Sequence, residues 1–157
     1  LVSSPSGLAV APTKLLAFYA AQMGFPAKTF TNPPFGADSF AGQLATGAAQ
    51  VATEVAAQAT FTQLHTVVPD SVYTVRQADG GALVFGVIER TDSFAVKPGQ
   101  KVNTVGNTGF VRLTGKKVVS RKASITTLEF VVFAVPPVSG PARLVAAREQ
   151  MVAGSGS

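Results

Sequence analysis

The spacing of hydrophobic positions changes once along the chain. Leu15, Leu16, Tyr19, Ala20 and Met23 recur at helical intervals behind Pro12, and Gly24 stops them, which predicts a helix of about three turns. Pro26, Pro33, Pro34 and Gly36 exclude regular structure through most of 25–37, where Phe25, Phe30 and Phe35 are expected to pin the segment to the core. Asp38 or Ser39 then caps a second helix whose apolar positions Phe40, Leu44, Ala48, Val51 and Val55 step by four, four, three and four. Gly42 and Gly47 each weaken that helix by about 1 kcal/mol relative to alanine, so tertiary packing has to hold it.

Near Ala59 the period becomes two, and Thr60 to Val68 carries apolar residues on both faces until Pro69-Asp70 ends the run. Next, Asp79-Gly80-Gly81 separates two β-rich runs, and only a tight reversal with left-handed backbone suits that tripeptide. The second arm continues through Thr91 to Val96, long enough that Gly86 is expected to mark a bulge or a close backbone approach. Residues 97–117 are rich in Gly and Asn, with Phe110 to Leu113 as a candidate short strand. Val118 to Val135 is the longest β-pattern, with Ile125, Val131, Phe133 and Val135 on one parity and Leu128, Phe130 and Val132 on the other. After the breakers Pro136-Pro137 and Ser139-Gly140-Pro141, residues 142–152 have a composition that suits a helix and a position that suits a returning strand. The strand is favoured, because its length and flanks match a meander. Residues 154–157 read as a disordered tail, and 1–11, with Pro5 and Gly7 and neither period, as a flexible leader.

The order of elements predicts an α+β fold, two N-terminal helices packed on a curved antiparallel sheet of four to five strands, in one domain spanning 12–153. Composition adds an environment. Of 157 residues only 13% are charged, about half of the roughly 25% usual in soluble domains. Such a weakly charged surface, rich in Ala, Thr, Gly and Val, points to an exported protein. The absence of cysteine excludes disulfides, thiolate nucleophiles and cysteine zinc sites. No apolar run reaches the ~20 residues a membrane helix needs. Either the protein is cytosolic or the chain is a mature fragment whose export signal has been removed, and a start at Leu1 rather than Met favours the fragment.

Arg76-Gln77-Ala78-Asp79-Gly80-Gly81-Ala82-Leu83-Val84-Phe85, followed by Glu89-Arg90-Thr91, resembles a domain of unknown function of actinobacterial exported proteins and lipoproteins. The element order is similar to the cone-shaped sheets of the nuclear transport factor 2-like and cystatin-like folds. The first resemblance implies an extracytoplasmic, secreted or membrane-tethered location, and the second implies helices lying in the hollow of a bent sheet.

Candidate chemistry is sparse. His65 is the only histidine, so two-histidine metal sites are excluded, no metal or cofactor is expected, and His65 reads as a surface or hydrogen-bonded structural side chain. No Gly-x-Ser-x-Gly elbow exposes a nucleophile, so no catalytic residue is assigned. Paired carboxylates would have to lie on strands, which leaves Glu89, Asp92 and Glu129. Glu129, between Leu128 and Phe130, would suit acid–base work if buried, but pairing on the exposed face with a basic residue of a neighbouring strand is the plainer expectation. Gly106-Asn107-Thr108-Gly109 lacks the Lys-Ser/Thr of a P-loop and reads as a turn.

The net charge of +5 is concentrated, because no acid lies between Asp92 and Glu129 while Lys97, Lys101, Arg112, Lys116, Lys117, Arg121 and Lys122 all do. That window is the candidate surface for an anionic partner or an unknown protein. Only Phe94 and Phe110 are near enough to stack on bases, so nucleic acid is not the expected partner. The resulting expectation is a non-enzymatic extracytoplasmic binding domain, with an anionic lipid or wall polymer as the natural counterpart of the basic window. The alternative is a small hydrophobic-ligand binder or cone-type enzyme, with Phe18, Tyr19, Phe40, Phe61, Tyr73, Phe85 and Phe133 lining a cavity between helices and sheet.

Overall fold

A computed structural model describes residues 7–157, with α1 at Pro12–Gln22 and α2 at Ser39–Val55. The strands are β1 Ala59–Val67, β2 Tyr73–Arg76, β3 Ala82–Val96, β4 Val102–Asn103, β5 Val118–Val119, β6 Lys122–Val135 and β7 Arg143–Gly156, with α3 (Thr108–Thr114) between β4 and β5. The main sheet is antiparallel in the order β1-β3-β6-β7, with β2 also on β3, and it stays open; β4 and β5 form a small separate ribbon. The α+β class is as the chain order predicts. Residues 1–6 of the expected leader lie outside the described residues, and just beyond them Leu8 bridges Pro137.

One long pairing sets the sheet. β3 and β6 run opposite each other without a register shift from Ala82↔Val135 to Ala95↔Lys122. Directly opposed residues share a face, so Val84 and Ile88 of β3 and Val131, Phe133 and Val135 of β6 all turn to one inner side, where all five are buried. β1 and β2 lie in line along the other edge of β3. Between Val67↔Ile88 and Tyr73↔Phe85 the 68–72 excursion interrupts them. The Ser71 hydroxyl repairs that gap by donating to the Val68 carbonyl at 2.7 Å and accepting from the Val87 N–H at 3.2 Å.

The helices cover the inner face. Leu15, Leu16, Tyr19, Ala20 and Met23 join Val84, Ile88, Val131, Phe133 and Val135 in one buried cluster. Gly86 is the expected close approach, since a Cβ there would collide with the buried Leu16 side chain. Asp38 caps α2 by accepting from the Ala41 N–H at 2.8 Å, and the same oxygen accepts from the Tyr19 hydroxyl at 3.1 Å, tying α1 to the start of α2. A second cluster, Phe110, Val119, Ala123 and Ile125, fills the other end of the inner face.

Two segments differ from the sequence expectation. Residues 108–114 form a helix rather than a short strand, because the Asn107 side chain accepts from the Phe110 N–H at 2.9 Å and Gly115, at φ 68°, closes the other end. The chain end expected to be disordered is instead paired. β7 reaches Gly156, and the Ser157 carbonyl accepts from the Ser120 and Arg121 N–H groups at 2.9 and 2.8 Å. The glycines there serve contact. Phe110 lies over Gly154 and Gly156, within 3.5 and 3.1 Å of where their Cβ atoms would be.

Two outcomes follow from this packing. Gly86→Ala should lower stability by about 1–3 kcal/mol in urea unfolding followed by circular dichroism, since Leu16 has no free space to yield. The Tyr19 phenol is pushed well above its ordinary value, first by burial, then by the Asp38 carboxylate and more weakly by Glu129. The folded chain therefore keeps this proton while the unfolded chain releases it above about pH 10, so stability should fall there by up to about 1.4 kcal/mol per pH unit. Tyr19→Phe should flatten that alkaline loss, read as the unfolding free energy of the two proteins between pH 9 and 11.

Candidate functional site

A polar belt crosses the inner face between the two apolar clusters. Its position follows from the ladders, which place His65 opposite Arg90, Gln63 opposite Asp92, Thr127 opposite Arg90 and Glu129 opposite Glu149. One oxygen of Glu129 lies 3.2 Å from His65 Nε2 and 3.2 Å from an Arg90 guanidinium nitrogen, and the same nitrogen donates to Glu149 at 2.9 Å. Arg90 Nε is 3.3 Å from the Asp92 carboxylate, whose other oxygen accepts from the Gln63 amide at 2.8 Å. The His65 and Glu129 side chains have no exposed surface, whereas Glu149 is about half exposed.

Glu129 is thus paired with basic groups of neighbouring strands as expected, but on the buried face rather than the exposed one. His65 is the hydrogen-bonded structural histidine, not a surface one. Buried charges persist when they are paired and hydrogen-bonded, and here three carboxylates surround one guanidinium. The belt is not fully satisfied. His65 Nδ1, Glu129 Oε2 and Gln63 Oε1 are buried without hydrogen-bond partners. Chemically a His–Glu pair can hold or pass a proton, and here, with both side chains unexposed, it joins β1 to β6 and through Arg90 to β3. Of the candidate carboxylates Glu89, Asp92 and Glu129, the structure brings Asp92 and Glu129 together around Arg90 and leaves Glu89 exposed on the other face, whereas Gln63, Thr127 and Glu149 were not singled out from sequence. The only signal for them was polar residues at inward parity.

The seven expected pocket aromatics do not line one cavity. Tyr19 and Phe133 pack edge to face at 4.8 Å, and Tyr19 packs against Phe35 at 5.1 Å, all in the main core. Phe18 and Phe40 are partly buried against that cluster, and Phe61 stacks between Phe25 and Phe94. Tyr73 and Phe85 face each other across β2 and β3 on the opposite side of the sheet.

A cavity of about 190 Å³ lies elsewhere, between the C-terminal half of α2 and the second cluster. Its walls are Val51, Val55, Phe94, Val96, Phe110, Val119, Ala123 and Ile125, and its rim is the loop from Val102 to Asn107. That rim belongs to the basic window. Lys97, Lys101, Arg112, Lys116, Lys117 and Arg121 are exposed on the segment that joins β3 to β6 at this end of the sheet, and Lys122, also exposed, opens β6. Lys97 donates to the Ala56 carbonyl at the end of α2, beside Val55. Thr104 holds the rim by donating to the carbonyls of Lys117 and Lys116 at 2.9 and 2.7 Å. The apolar wall was legible only as Val96, Val102, Phe110 and Val119 interleaved with the lysines. Val51 and Val55 read as helix core.

Among the described residues no helix is long and apolar enough to cross a membrane, and no group of His, Cys, Asp and Glu is arranged to hold a metal ion. Residues 2–156 match the family described as Domain of unknown function (DUF8094), and the chain belongs to that family. No curated protein and no solved structure matches it.

If the belt ties β1, β3, β6 and β7 together, Glu129→Ala should cost about 2–4 kcal/mol by leaving the buried His65 Nε2 without a partner and a void in the core, while Arg90 keeps Asp92 and Glu149. Guanidinium unfolding by circular dichroism measures this. A loss below 1 kcal/mol would show that the belt bears little of the fold.

Proposed function

We propose that this member of the DUF8094 family is a non-catalytic, extracytoplasmic binding domain of a cell-envelope lipoprotein, and that its basic end engages an anionic amphiphile. The observation that carries the reading is the apolar cavity opening inside a lobe with seven cations and no acid from 93 to 128. An apolar slot with an uncharged polar rim, in a lobe whose cations are exposed on the surrounding segment, suits a molecule with one hydrocarbon part and one anionic head. The volume sets its size. Engineered apolar cavities of about 150 Å³ hold a benzene ring, so about 190 Å³ admits one ring or a short acyl segment rather than a whole lipid. The low charge density and the resemblance of the 76–91 stretch support the extracytoplasmic location. The filled main core and the closed belt support binding over catalysis. The cavity alone would also suit a carrier of a free small hydrophobic ligand.

Cosedimentation with vesicles of phosphatidylglycerol and of phosphatidylcholine separates these readings. Binding should require the anionic lipid and fall with salt. Reversing Lys97, Lys101 and Lys116 to Glu should weaken it at least 100-fold, since each near-surface cation contributes about 1 kcal/mol. Val51→Trp, which fills the slot from a half-buried helix position, should weaken it about tenfold at unchanged salt dependence. Equal binding to both lipids, or none, would reject the envelope reading. In that case Val51→Trp-sensitive uptake of free octanoate would favour the carrier.

A further inference from the structure

The outer face of the sheet is apolar where an exposed antiparallel face is ordinarily polar. Tyr73, Val75, Phe85 and Phe130 are 52%, 50%, 37% and 46% exposed, and Val87 and Val132 lie between them on the same parity. All packed helices and both core clusters lie on the other side. Toward the opposite end the same face turns polar, beginning with Glu89 beyond Val87 and continuing with Thr62, Thr91, Ser93, Ser124, Thr126 and Ser155, and Arg143 and Arg148 mark its β7 edge.

We propose that this face is the interface of a homodimer, two sheets packed face to face about a twofold axis that runs along the strands between β3 and β6. Three features favour a second copy as the occupant. The first is size. Four strands about 4.8 Å apart and thirteen residues rising about 3.3 Å each give roughly 800 Å² per copy, the share each partner contributes to a standard interface. The apolar half would form the dry core, and the Ser/Thr half together with Glu89 and the arginines of the β7 edge the polar rim.

The second is self-complementary relief. Across the β3–β6 ladder Phe85 pairs with Val132, Val87 with Phe130 and Leu83 with Ala134, so large and small side chains alternate. The proposed axis carries β3 of one copy over β6 of the other. Each Phe85 ring then rests on Val132 of the second copy, each Phe130 on Val87, and each Leu83 on Ala134. Tyr73, which shares a row with Phe85, Val132 and Ala146, falls on Ala146. Sheets of identical twist also meet at the shallow angle that aligned packing requires.

The third is charge. Arg148 is opposite Phe130, on the outer parity of β7. The axis sets it over the 68–72 excursion of the other copy, which carries the exposed Asp70.

Sedimentation velocity of the whole chain between about 1 and 100 µM tests this. The wild type should reach twice its 16.1 kDa mass. Phe130→Glu, at an exposed position, should weaken association at least 100-fold with an unchanged circular dichroism spectrum. Val132→Phe adds no charge but fills the hollow meant for Phe85, and should weaken it at least tenfold. A wild type that stays monomeric at 100 µM overturns the proposal and leaves the face to a different protein partner. A dimer indifferent to both substitutions overturns it as well.

Discussion

The uninterrupted antiparallel pairing of β3 with β6 is the constraint on which the rest of the structure depends. With a period of two, a slip of one residue would exchange the two faces of a strand. In the observed register Val84, Ile88, Val131 and Phe133 meet the helices, while Glu129 is brought within reach of Arg90 and His65. A slip would put Glu89, Phe85 and Phe130 under α1 instead. Helix packing and belt chemistry therefore both select the same register, and the small residue at Gly86 lets Leu16 press directly on the ladder.

The belt divides the inner face into two cores of different character. On one side the aromatic rings of Tyr19, Phe35 and Phe133 interlock and leave little room. On the other, Phe110, Val119, Ala123 and Ile125 are assembled from a loop-rich insertion, and the packing leaves the cavity that α2 closes with Val51 and Val55. Charge follows the same division. Arg90 pairs with three carboxylates at the centre, where acids outnumber the one guanidinium, whereas the insertion carries its cations outward without acids. Electrostatic attraction to an anionic surface is thus confined to one end of the molecule.

The two proposed surfaces are compatible in space. The basic lobe extends the sheet at the 96–122 end, and the apolar outer face is widest at the other. A twofold axis along the strands would leave both lobes pointing the same way, with two sheets between their inner faces. A pair of weak sites held in that attitude binds a surface more tightly than either alone.

Local patterning determined a large part of this chain by itself. Pro12, Gly24 and Asp38 mark helix ends, Asp79-Gly80-Gly81 marks the hairpin, and alternation marks the long strands, because each depends on backbone sterics and on neighbours a few residues away. Asn107 and Gly115 are equally local signals for α3, although 106–109 taken alone suits a turn and 110–113 a short strand. What only the tertiary structure decided is which parity faces inward and who meets whom. Glu129 and His65 stand 64 residues apart, and both faces of β3 and β6 are apolar, so no periodicity could tell the helix side from the open side. Gly154 and Gly156 carry the same ambiguity, since glycine reads as a loose end until an aromatic ring such as Phe110 is found lying on it. Burial and pairing between distant strands settle such questions, and they arise only once the chain has folded.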